Sequence, residues 1–180
     1  MSNSFDPASN LKLHSLNSLS PSDAQKEFLK CCGSKNWAQR MVAERPFRSL
    51  DQLIGSSDRI WWSLEAADWL EAFHSHPKIG EKKAAATIAA QSQKWSEDEQ
   101  SGTREATAGT RVELTELNNA YEKKFGYIFI VCASGKSSEE MLRILRGRLQ
   151  NNADEEFRIA AAEQSKITQL RLRKLVAVGT

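Results

Sequence analysis

An all-α fold is predicted for this 180-residue chain on three observations. Apolar residues recur at three- and four-residue spacing over much of the length, the mark of amphipathic helices. Strands and helices do not alternate, and there is no internal repeat. The single β-prone run, Tyr127 to Ala133, has no second strand to pair with, so it is expected as a buried extended connector or a short helical turn.

The elements follow in order. Residues 1–22, rich in Ser, Asn and Pro and without an apolar signal segment, read as a flexible leader, and residues 23–178 as one domain. Ser20-Pro21-Ser22-Asp23 caps a helix from Ala24 to Cys32, ended by Gly33. Trp37 to Glu44 forms a second, stopped before Pro46. Phe47, Leu50, Leu53 and Ile54 mark a third, with Gly55 after it. Ser57-Asp58 caps Arg59 to Phe73, the most hydrophobic region, with Asp68 a point where it could split. Pro77 disfavours the α conformation at His76, which places His76 just past this helix. Glu81 to Lys94 has good helix propensity and little to bury, so it reads as a surface helix or linker. A long helix is expected from Glu97 to Phe125, stopped by Gly126. Ser137-Ser138-Glu139-Glu140 caps another, ending near Asn151-Asn152, and the last runs from Ala153 to Val176.

Composition narrows the function classes. A hydrophobic fraction of 40% and a charged fraction of 27% suit an ordinary globular domain. The net charge is only +2 and its charges are scattered, so no nucleic-acid or membrane-surface partner is expected. No apolar run approaches the roughly 20 residues that span a bilayer. Cys31, Cys32 and Cys132 lack regular spacing, which points to a reducing compartment without a disulfide framework or a zinc site of the CxxC kind. They are expected as buried small hydrophobes.

Four places could carry chemistry. His76, fixed by Pro77 at a helix end, is suited to general acid or base work near neutral pH, or merely packs on Trp69 or Phe73. His74 and His76 could share a metal ion, but a third ligand is needed and only a carboxylate such as Glu99 offers one. Ser96 and Glu99 form a Ser-x-x-Glu capping box; the same helix start offers N–H groups to a polar or anionic ligand. Phe129 to Ala133 exposes backbone groups that a core connector or a heterocyclic ligand must satisfy. Arg171 stands at the edge of an apolar helical face, where it can hold a carboxylate bidentately or pair at the surface.

In chain order, the motifs are Trp69-Leu70-Glu71-Ala72-Phe73, His76-Pro77-Lys78-Ile79-Gly80, Ser96-Glu97-Asp98-Glu99-Gln100, the run from Lys124 to Gly135, and the run from Glu163 to Leu172. Together they resemble the OHCU decarboxylase family (2-oxo-4-hydroxy-4-carboxy-5-ureidoimidazoline decarboxylase), closest to its plant branch. That resemblance implies an all-helical, cofactor-free and homodimeric enzyme of urate degradation that forms (S)-allantoin. It implies His76 as the central acid/base beside Pro77, with Glu99 polarising the ring and Ser96 and Gln100 on its polar edge. The backbone of Phe129, Ile130, Val131, Cys132 and Ala133 would hold the ureido and ring amides, and Arg171 a polar or anionic group. In the plant branch a transthyretin-like hydroxyisourate hydrolase is commonly fused to the decarboxylase, so such a partner is expected, fused or associated. Ser75 stands where the family usually has Ala or Gly. The last residues lack a Ser-Lys-Leu signal, which leaves the peroxisome and the cytoplasm both open. Two rivals remain: an inactive helical interaction module using Trp61, Trp62 and Trp69, and a metal-dependent hydrolase using His74 and His76.

Overall fold

The computed structural model describes residues 7–78, 94–95, 98–99 and 107–177. Eight helices are described: α1 (Pro7–Ser18), α2 (Pro21–Cys31), α3 (Lys35–Ala43), α4 (Leu50–Trp61), α5 (Ala66–His74), α6 (Ala108–Phe125), α7 (Ser138–Arg148) and α8 (Ala153–Val176). Among the described residues there is no strand, as the sequence predicts. The expected surface helix at 81–94 lies outside the described residues except for Lys94, which is helical.

Most boundaries are set by local chemistry. Ser20, Ser34, Ser49, Thr107, Ser137 and Asn152 each accept a hydrogen bond from a first-turn backbone N–H. Ser137 and Glu140 complete a reciprocal capping box. Gly126 closes α6 in the left-handed region at φ 80, where a Cβ would be strained.

Three expectations are corrected. The leader is not simply flexible: its residues 7–18 are helical, and Leu13 and Leu16 are 4% exposed in the core. Asn17 holds this helix by donating to the Phe47 carbonyl (2.8 Å) and accepting from the Phe47 N–H (2.9 Å). Second, Ser57 and Asp58 do not start a helix. They lie inside α4, which runs through Gly55 because burial of Leu53, Ile60 and Trp61 outweighs glycine's cost of about 1 kcal/mol. The break comes at 62–65, where the Glu65–Asp68 capping box begins α5. Third, no single helix runs from Glu97 to Phe125. Asp98 and Glu99 are helical, but Thr107 is extended at ψ 160 and caps a separate α6.

α8 is the axis of the fold; α1, α2, α4, α5 and α6 all pack on it. Its inner face carries Ala160, Ala161, Ile167 and Leu172 together with the polar Glu156, Gln164, Thr168 and Arg171. Trp61 donates its indole N–H to the Ala161 carbonyl at 3.0 Å and stacks on Trp69. Phe73, Tyr127 and Phe157 form an aromatic cluster between α5, the connector and α8. Of the three tryptophans proposed for protein contacts, Trp61 is buried, Trp69 is half-buried and Trp62 is 46% exposed.

Candidate active site

His76 sits two residues beyond α5 and is half-buried. Its position is fixed by turns: the Ser75 N–H donates to the Ala72 carbonyl (3.1 Å) and the His76 N–H to that of Phe73 (3.2 Å). Pro77, also half-buried, prevents further winding. Lys78 then ties the turn to α6, 2.7 Å from the Glu122 carboxylate and 3.3 Å from Asn119. His74, on the last turn of α5, is exposed. Among the described residues, no three His, Cys, Asp or Glu side chains are grouped as a metal site requires.

Arg171 is not at the edge of its helix but inside the core, 4% exposed. It meets Glu99 side-on: Nε donates to Oε1 (3.1 Å) and Nη2 to Oε2 (2.9 Å). A bidentate fork of this kind orients both partners. Lys174 adds a cation 3.6 Å from Glu99 Oε1. The Glu99 carboxylate is therefore engaged by α8, 72 residues away in sequence. Ser96 and Gln100 lie outside the described residues.

Phe129, Ile130, Val131, Cys132 and Ala133 are all buried, in an extended connector between α6 and α7. Three bonds hold it, two of them long-range and one local. Arg148 Nη1 donates to the Ile130 carbonyl (2.6 Å), the Cys132 N–H donates to Glu163 Oε2 (2.7 Å), and Lys136 Nζ donates to the Cys132 carbonyl (2.6 Å). The Cys132 backbone is thus occupied within the chain, whereas the N–H groups of Ile130 and Val131 meet no acceptor among the described residues. The Phe129 ring lies under the Arg148 guanidinium, 4.8 Å from centroid to Cζ, so it supports the connector from inside. Burial pushes the Cys132 thiol up, against the opposing pull of the nearby Lys136 cation.

The segment after α2 joins the histidine turn to the Glu99–Arg171 pair. The Cys32 thiol lies against Thr168, one turn before Arg171 on α8, and Gly33 lies against Ser75, the neighbour of His76. Burial raises the Cys31 thiol, and raises that of Cys32 to about 11, so both pack as neutral side chains.

Several contributors were missed from sequence. Arg148, Glu163 and Lys136 position the connector, and Glu156 holds Arg148 through a 2.7 Å bond. One signal was available: Glu156, like Arg171, stands on the stripe of α8 that is otherwise core. A charge on such a stripe implies a buried partner.

The OHCU decarboxylase family profile matches residues 17–173. The chain is 41% identical over 153 residues to the uric acid degradation bifunctional protein TTL of Arabidopsis thaliana, covering 84% of this chain and 47% of that one. It is 32% identical over 133 residues to the 2-oxo-4-hydroxy-4-carboxy-5-ureidoimidazoline decarboxylase of Amia calva, covering 73% of this chain and 75% of that one. A crystal structure of OHCU decarboxylase in the presence of (S)-allantoin superposes with a TM-score of 0.72 at 39% identity, covering 83% of this chain and 96% of that chain. The chain spans about half the length of the Arabidopsis protein and 33% of the bifunctional protein of Bacillus sp. (strain TB-90).

Proposed function

The chain belongs to the OHCU decarboxylase family, and on that footing we propose that it is a carboxy-lyase of urate degradation. Its reaction converts 2-oxo-4-hydroxy-4-carboxy-5-ureidoimidazoline to (S)-allantoin. The observation that carries this reading is the buried, side-on Glu99–Arg171 pair, with the fixed His76 turn linked to the Arg171 helix through Gly33 and Cys32.

The reaction breaks the bond between a ring carbon and its carboxylate. Carbon dioxide leaves, the electron pair passes into the ring, and one proton is added to one ring face. Arg171 and the N–H groups of Ile130 and Val131 are pre-organised donors for the charge that develops, worth several kcal/mol in a site closed to water, roughly 3 per well-placed donor. Glu99 keeps lone pairs beyond those taken by Arg171, with which to accept from a ring N–H. His76 moves the proton, and a fixed imidazole delivers it to one face. Pro77 holds that imidazole's backbone, Ser96 and Gln100 bind the polar edge of the ring, and the rest of the Phe129–Ala133 backbone lines its ureido side. Gly33, Arg148 and Glu163 act on this site only through the residues they hold.

The inactive-module reading is disfavoured, because the chain matches the decarboxylase family over residues 17–173 and relatives named as decarboxylases. A homodimer, a fused or associated transthyretin-like hydroxyisourate hydrolase, and a peroxisomal or cytoplasmic setting complete the proposal. Light scattering checks the dimer.

The test supplies OHCU freshly generated from urate by the two upstream enzymes and follows optical rotation. Rapid appearance of one allantoin enantiomer, unchanged by a chelator, is expected, and its loss in His76→Asn. Slow racemic product from the unaltered chain refutes the reading. Inhibition by the chelator revives the metal-dependent rival.

A further inference from the structure

The strap from Cys32 into the first turn of α3, ending at Asn36, runs along α5 and reaches the His76 turn. Asn36 Nδ2 donates to Asp68 Oδ2 at 3.0 Å, and the Lys35 N–H donates to Glu71 Oε2 at 2.8 Å. Gly33 then presses on Ser75: a Cβ at position 33 would stand 2.3 Å from Ser75 Cβ, 2.4 Å from its Oγ and 3.7 Å from Ala72 Cα. These contacts, at 68, 71 and 75, lie on one face of α5 and lead to His76. Both ends of the strap are anchored. Cys32 closes α2 by donating its N–H to the Phe28 carbonyl at 3.1 Å, and Ser34 caps α3 by accepting from the Trp37 N–H at 3.2 Å. Cys32 also rests on Thr168 of the helix that carries Arg171.

We propose that Gly33 is a positioning residue: its bare Cα, seated on Ser75, sets the distance between the His76 turn and the Arg171 helix. The proposal rests on the decarboxylase reading above. Glycine is required here for space and not for a special φ. The nearest contact must grow from 2.3 Å to about 3.4 Å before an alanine fits, a displacement of about 1 Å. The strap is held at both ends, so the Ser75–His76 turn takes up that movement. A shift of this size in a reacting group costs on the order of 100-fold in rate.

The experiment is a double-mutant cycle in the full chain, with kcat and KM measured on OHCU. Gly33→Ala should lower kcat by about 100-fold with KM changed by less than about threefold. Adding Ser75→Gly removes both clashing atoms and should restore kcat to within about threefold of Ser75→Gly alone. Adding Ser75→Ala leaves the Cβ clash in place and should restore nothing. Full activity in Gly33→Ala, or a loss that Ser75→Gly does not relieve, overturns the proposal. If Gly33→Ala yields no folded protein, Glu71→Ala and Asn36→Ala loosen the same strap without a clash. Each should lower kcat at least threefold at unchanged melting temperature, and unchanged kcat in both overturns the proposal. An unaltered chain without activity defeats the decarboxylase reading; an active chain indifferent to these changes defeats only the role of Gly33.

Discussion

Replacing Arg148 by Met removes a cation from a heavily bonded buried cluster and tests how the connector is held. Glu156 is 0% exposed and Arg148 7%. The Glu156 carboxylate accepts from Arg148 Nε (2.7 Å), from Asn151 Nδ2 (2.8 Å) and from the Tyr121 hydroxyl. The same guanidinium donates to the Ile130 carbonyl at 2.6 Å. Methionine keeps most of the stem's packing, so the loss is electrostatic. A buried carboxylate left without its cation costs about 3–5 kcal/mol. The Ile130 carbonyl, left without its donor, adds about 1 kcal/mol. A loss of about 4–6 kcal/mol is a large part of the roughly 5–15 kcal/mol that stabilises a domain. Urea unfolding followed by circular dichroism measures it. With a slope of about 2 kcal/mol per M, the midpoint should fall by about 2–3 M. Arg148→Met/Glu156→Leu should recover at least half of the loss, because an apolar pair leaves no charge stranded. A cost below about 1 kcal/mol, or strict additivity of the two single changes, refutes the account.

Three further outcomes are expected. Arg171→Lys keeps the charge but cannot reproduce the side-on fork to both Glu99 oxygens, so kcat/KM on OHCU should fall about 100- to 1000-fold; a value within threefold of the unaltered chain counts against the pair. Burial alone raises the Glu163 carboxyl, but bonds from Lys166 and the Cys132 N–H outweigh it and hold it below its ordinary 4.5. The folded value is therefore the lower one, and this stabilisation is present above about pH 4.5 and is lost as pH falls through the folded value. Melting temperatures of the unaltered chain and Glu163→Gln should converge on acidification, and a constant gap down to pH 3 contradicts the sign. All three thiols are free, buried and raised by burial, so a disulfide reagent at pH 8 should react with them only slowly until guanidinium is added. One thiol titrating within seconds in the folded protein shows that at least one of them is accessible and ionised.

Features decided by neighbouring residues were legible in the sequence. The Ser137–Glu140 capping box, the α8 span from Ala153 to Val176 and the Gly126 stop depend on hydrogen bonds within one turn. That Tyr127 to Ala133 forms no sheet followed from the lack of any second strand-like run; the choice of an extended connector over a short helical turn was made by the tertiary structure. The helical leader and the uninterrupted α4 were misjudged, because both depend on burial against distant elements. Leu13 and Leu16 lack a periodic apolar stripe around them, and Gly55 breaks a helix only when nothing else pays for it.

The candidate site divides in the same way. The place of His76 just past α5 was legible because a proline beside a histidine constrains its own backbone, a local effect. The partner of Glu99 was not found, since a capping box and a buried ion pair use the same carboxylate and only tertiary packing brings Arg171 to it. Gly33 read as a helix stop; that it also seats Ser75 is a contact across 42 positions, invisible to any pattern within one element. By itself the sequence determined the all-α class, most of the helices, caps such as Ser137–Glu140, and the residue types that could do chemistry, because propensity and capping act within about a turn. The tertiary structure alone decided which charges are buried together and how close the His76 turn stands to the Arg171 helix, because ion pairing and steric contact depend on distance in space.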